Sequence, residues 1–185
     1  METLEAINKR TSLKTHLSTR DVEQDKIIKI LDAARLAPSA RNMQPWHFIV
    51  IKGKENVQNV VTKAFGEVNH VVKEAPVLII ACGNPSDDII ADGKEYYLFD
   101  MGLATENMLL AATDLGLVTH PMANVREDDL KRILGIPPEV RFVIATPLAY
   151  PAEGSYEEAA QERLSQRTRK NLKEMAYADA WGKPF

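Results

Sequence analysis

The chain has a single cysteine, Cys82, among its 185 residues, so no internal disulfide framework braces it, and a reducing, cytoplasmic setting is expected. No segment approaches the roughly 20 consecutive apolar residues of a membrane span. The opening METLEAINKR lacks an apolar stretch of the signal-peptide kind. A net charge of −3 provides no basic footprint for nucleic acid or an anionic membrane, so neither is expected as a partner. His16, His47, His70 and His120 are scattered, and none is spaced with Cys or Glu as metal pairs are, so no metal site is expected. The sequence also lacks a G-x-S-x-G elbow, a Walker loop and a G-x-G-x-x-G fingerprint, which argues against hydrolase, NTPase and Rossmann chemistry. Repeats, low-complexity tracts and a domain boundary are absent too. One domain over residues 1–185 is the expectation.

What is present is organised around APSARNMQPWHFIVI, Ala37 to Ile51. Pro38 ends the preceding helix, because proline pushes the residue before it out of helical geometry. Between Pro38 and Pro45, the side chains of Ser39, Arg41, Asn42 and Gln44 offer hydrogen-bonding groups at short range, and Trp46 opens a strand. A loop so pinned is either a connector with turn chemistry or a ligand-holding loop.

Apolar spacing predicts helices over Thr3–Lys9, with Leu4 and Ile7 on one face, over Glu23–Leu36, and around Val57–Phe65. The longest helix, Tyr96 to Leu117, carries two stripes. Leu98, Met101, Thr105, Met108, Ala112 and Leu115 form one; Leu103, Leu110 and Leu117 form the other, so burial on several sides is expected. Asn124 and Glu127 read as a capping box for a helix over Val125–Leu134, stopped by Gly135 and Pro137. The continuous apolar run of Ala75–Cys82 predicts a buried strand in which Cys82 is inert packing. Arg141–Tyr150 is a further strand, in which Pro147 calls for an edge or a bulge. Gly83–Gly93 is expected to be a surface loop, and the pairs Asp87–Asp88 and Asp128–Asp129 to be solvated charge. Two basic clusters remain, Lys9, Arg10, Ser12 and Lys14 near the start and Arg163, Arg167, Arg169 and Lys170 near the end. Each alone reads as a solvated face; together they have the chemistry to clamp a phosphate dianion.

APSARNMQPWHFIVI closely resembles the APSSxNxQPW signature of the FMN-dependent nitroreductase family. KRTSLK resembles that family's R-R-S-x-R segment, DMGLATENMLLAATDLGL its long central helix, ATPLAYP its strand ending in Gly-Tyr-Pro, and RTRKNLKEM its basic C-terminal segment. The resemblance implies an α+β fold: an α/β/α sandwich with a mainly antiparallel central sheet, assembled as an intertwined homodimer with FMN at the interface. Residues 151–185 would then be an extended arm packed on the partner.

By the same resemblance, Arg10 and Ser12, with Thr11 between them, fall at the FMN phosphate, and Arg167 and Arg169 complete the clamp. Lys14 falls at the ribityl chain or the flavin pyrimidine edge, where its charge would stabilise reduced flavin. Pro38, Ser39, Ala40 and Asn42 would come from the other subunit, and Pro121, Met122, Ala123 and Asn124 would pass near the ring, one backbone N–H facing flavin N5. No side chain is needed as acid, base or nucleophile. The implied activity is NAD(P)H-dependent, ping-pong reduction of nitroaromatics, quinones or similar acceptors. Alternatives on the same fold are a dehalogenase, a dehydrogenase, a flavin-degrading enzyme or a non-enzymatic flavin-binding protein. The chain departs from the pattern in having Thr11 and Lys14 where arginines are usual, Ala149 where glycine is usual, and a short covering segment at Gly83–Gly93.

Overall fold

The computed structural model describes residues 1–185. In chain order the elements are α1 (Thr3–Lys9), α2 (Gln24–Arg35), β1 (Trp46–Lys52), α3 (Lys54–Ala64), β2 (Val77–Gly83), β3 (Ile90–Ala91), β4 (Lys94–Glu95), α4 (Tyr96–Asp114), β5 (Val118–Thr119), α5 (Glu127–Leu134), β6 (Arg141–Ala149) and α6 (Tyr156–Ser165). The sheet runs β1-β2-β6-β5 and is antiparallel throughout. No helix is long and apolar enough to cross a membrane.

The apolar run of β2 is continuous because helices cover both faces of the sheet. Side chains alternate along a strand, so Leu78, Ile80 and Cys82 pack with Val57, Val61 and Leu130 of α3 and α5. Val77 and Ile79 face the other way, onto Ile27 and Ile30 of α2 and Met108 and Ala112 of α4. This α/β/α layering is the expected one. Cys82 is buried and its thiol pushed up to about 11 by burial, which leaves it unreactive.

Several local expectations are corrected. Helix α5 begins at Glu127, not Val125, and its N-cap residue is Arg126, with no capping side chain. Val125 is drawn into an extended bridge with Phe65, and Glu127 spends its carboxylate on the Phe142 N–H at 3.2 Å and on Lys131. The segment Gly83–Gly93 holds a 3-10 turn and leads into the β3–β4 hairpin, and Asp88 there is buried. A 3-10 stretch over Glu67–Glu74 lies where no element was expected. Leu4 and Ile7 are exposed, while Ala6 is the buried residue of α1. Residues 151–185 are not wholly extended, since α6 lies within them.

Pro147 sits neither on an edge strand nor at a bulge. β6 lies between β2 and β5, and its register shift against β2 falls at Ala81/Cys82. The missing N–H instead interrupts the ladder on the β5 side. Val118 and Thr119 pair with Ala149 and Leu148, and Met122 pairs with Ala145 in the same register. His120, opposite Pro147, sends its N–H to Thr146 Oγ1 at 2.9 Å. The break is local, since the edge segment rejoins β6 at Met122, which exchanges both backbone hydrogen bonds with Ala145.

Candidate functional site

The two basic clusters, far apart in sequence, converge. Ser12 forms a parallel bridge with Thr119, which lays the N-terminal segment along the sheet edge. Arg167, just beyond α6, then donates to the carbonyls of Asn8 (3.0 Å) and Arg10. The result is a cavity of about 280 Å³ with Arg10, Thr11 and Ser12 on one side and Arg163, Gln166, Arg167, Thr168 and Arg169 on the other. None of its lining residues is hydrophobic. Arg10 Nη1 donates to Ser12 Oγ at 3.2 Å, and its Nε lies 3.7 Å from Glu106 of α4. Guanidinium groups gathered around a hydroxyl, with one carboxylate in reach, are an anion-binding arrangement. Arg163 was visible only as part of a basic run; its placement across the cavity from Thr11 supplies a guanidinium where the N-terminal segment lacks one. Arg169 is free of such ties, donating only to the neighbouring Thr168 carbonyl at 2.7 Å.

Lys14 does not join this cavity. Its ammonium donates to Val68 O at 2.6 Å and to Asn69 Oδ1 at 2.9 Å, and buried Asn69 in turn reaches Asn124 O at 3.4 Å. The cation is thereby fixed beside the Pro121–Asn124 segment. Within that segment Met122 is a core residue, packed with α3 and α5, and its N–H is taken by Ala145 O at 2.7 Å. Met122's side chain thus anchors the segment in the core, and its N–H is not one of those left open. The N–H groups of Ala123 and Asn124 have no acceptor within the chain. His120 also escaped notice as a site residue. Burial lowers its pKa, the Lys14 and Arg163 charges lower it further, and its Nδ1 is buried without a partner. Ala149 is fully buried opposite Val118 as an ordinary strand residue.

The proline-flanked loop adopts left-handed backbone at Arg41 (φ 50°), Asn42 (φ 59°) and Gln44 (φ 53°). Strained residues of this kind cost roughly 1–3 kcal/mol each and persist where surroundings over-determine them. Gln44 N–H donates to Ser39 Oγ at 3.0 Å, and Ala40 N–H to Asp100 Oδ2 of α4 at 2.7 Å. Asp100 lies in the second turn of α4, whereas Thr11 shares a cavity with Thr113 and Gly116 at the other end. The clamp's Arg10, however, reaches Glu106, on the order of 9 Å along the helix from Asp100.

The sequence model of the nitroreductase family matches residues 7–71 and 68–150, which includes Arg10–Ser12, the proline-flanked loop and the Pro121–Asn124 segment but not the basic residues beyond α6. The chain belongs to the nitroreductase family. A Methanothermobacter thermautotrophicus relative, whose name gives NADH dehydrogenase and NAD(P)H nitroreductase provisionally, is 37% identical over 159 residues. That match covers 83% of this chain and 79% of the relative. The crystal structure of a nitroreductase family protein from Clostridium novyi NT is similar over 100% of this chain and 97% of its own, with 32% identity and a TM-score of 0.77. A Desulfovibrio desulfuricans structure in complex with FMN shares the fold at 23% identity and a TM-score of 0.79, over 98% of each chain.

Proposed function

We propose that this nitroreductase-family chain is an FMN-dependent NAD(P)H oxidoreductase that works as a homodimer and reduces nitroaromatics, quinones or similar electron-poor small molecules by ping-pong hydride transfer. The convergence of Arg10 and Ser12 with Arg163, Arg167 and Arg169 around one wholly polar cavity carries the reading. Those donors fit a phosphate dianion; Glu106 is the one carboxylate paired with them. When bound, FMN would supply the redox chemistry, taking hydride from NAD(P)H and passing electrons to the acceptor. The chain's own work is to bind, orient and polarise.

Arg10, Ser12 and Arg169 bind the phosphate, while Arg167 holds the Arg10 backbone in place. Lys14, immobilised by Val68 and Asn69, sets a positive charge beside the ring segment, where it favours an anionic reduced flavin. Ala123 and Asn124 present the free N–H groups for the ring edge, since Pro121 has none and Met122's is spent. Pro38, Ser39, Ala40 and Asn42 line the site of the partner subunit. Within one chain the loop makes no hydrogen bond to the clamp residues, which leaves it available to a second copy. Apolar side chains left open on one chain support it too: Leu4 is 74% and Phe99 62% exposed. The residues beyond α6, with exposed Trp181 and Phe185, would form the arm that packs on the partner.

The test is direct. The purified protein, reconstituted with FMN, should show a bound-flavin spectrum, elute as a dimer, and bleach rapidly on stopped-flow mixing with NADH or NADPH. Failure to retain flavin, or flavin that neither nucleotide reduces, rejects the reading.

A further inference from the structure

We propose that Asp100 is a positioning residue for the cofactor wall formed by the Pro38–Pro45 loop. The inference rests on the FMN reading above, but its core observation is independent of any ligand. Loop residues Ser39 to Gln44 bond mainly to one another: Asn42 N–H to Ser39 O, Met43 N–H to Ala40 O, and Gln44 through its backbone N–H to Ser39 Oγ and its side chain to Asn42 O. These bonds shape the loop without attaching it to anything. The bond that ties it to another element is Ala40 N–H to Asp100 Oδ2, at 2.7 Å.

Asp100 is 1% exposed, so this carboxylate is not there for solubility. A buried charge survives only with partners, and the Ala40 N–H is one. Asp88, 8% exposed, is its neighbour from the segment before β3. One Asp88 oxygen accepts the Ile89 N–H at 2.7 Å; the other is buried without a partner. Burial raises the pKa of Asp100, and the Asp88 charge raises it further. The loop and helix α4 are therefore pinned at one point. Left-handed backbone at Arg41, Asn42 and Gln44 needs such an outside anchor to persist.

Hydrogen exchange and flavin titration test this on the full-length protein. In the wild type the Ala40 amide should exchange more slowly than that of Arg41, whose N–H has no acceptor. D100A should lose that protection and weaken both FMN and riboflavin by about tenfold or more, because the loop is assigned to the ring and ribityl chain rather than the phosphate. D100N should restore protection and both affinities, since its amide oxygen still accepts from Ala40. An unprotected Ala40 amide in the wild type overturns the proposal whether or not D100A folds. So does a D100A that binds both flavins normally, or a folded D100N that fails to rescue. Protein that binds no FMN at all, yet protects Ala40 through Asp100, would instead reject the FMN reading and leave the anchor standing.

Discussion

Arg10→Ala is the perturbation that isolates the clamp. The contacts through which residue 10 supports the fold are backbone ones, its N–H to Ala6 O and its carbonyl accepting from Arg167, and alanine keeps both. What the substitution removes is the guanidinium, with its bond to Ser12 Oγ and its 3.7 Å pairing with Glu106. Glu106 is 51% exposed, and such ion pairs are worth about 0–1 kcal/mol, so the melting temperature should fall by no more than about 2–4 °C. The cost to a bound phosphate is larger. A lost charge-assisted hydrogen bond of about 1.5–3 kcal/mol weakens FMN on the order of 10–100-fold. Riboflavin, which has no phosphate, should bind the variant as it binds the wild type. Fluorescence titration of both flavins at fixed ionic strength measures the difference, salt being held constant because screening alters it. FMN affinity within twofold of wild type, or equal losses for FMN and riboflavin, would refute the assignment of the cavity to phosphate.

Lys14→Met should lower the reduction potential of bound flavin, and spectroelectrochemical titration would read it; an unchanged potential removes Lys14 from that role. The Asp88–Asp100 pair makes a prediction about pH. Because Asp100 is harder to deprotonate folded than at its ordinary value of 3.8, its contribution to stability is full below that value and is lost as pH rises through the folded one. Asp88→Asn removes the repulsion, so the variant should gain denaturant resistance over wild type at about pH 7 and none at about pH 3. An equal difference at both pH values would contradict repulsion between the Asp88 charge and Asp100. Leu130→Ala, at a fully buried position of α5, should cost about 2–5 kcal/mol in equilibrium unfolding; a loss under 1 kcal/mol would mean that the α3–α5 layer repacks.

Much of the fold was legible locally. Helical spacing marked α2, α3 and α4, and the uninterrupted apolar run of Ala75–Cys82 marked β2 because a strand covered on both faces has no polar side. The misreadings came where a distant partner outbid a local signal. Asn124 and Glu127 have capping-box spacing, but the bridge to Phe65 and the Phe142 N–H claim that stretch. Asp88 sits in an acidic, turn-rich segment that reads as solvated, yet tertiary packing buries it beside Asp100.

By itself the sequence determined the family resemblance, the periodic elements and the chemistry of the loop between Pro38 and Pro45, since these depend on residue order over short spans. Only the tertiary structure decided that Arg163 and Arg167 meet Arg10, that Lys14 is held by Asn69, and that Ala40 is anchored on Asp100. Those pairings are hydrogen bonds and charges between segments far apart in the chain. Such contacts leave no periodicity to read, because a donor finds its acceptor only after the sheet and its helices have set where each segment passes.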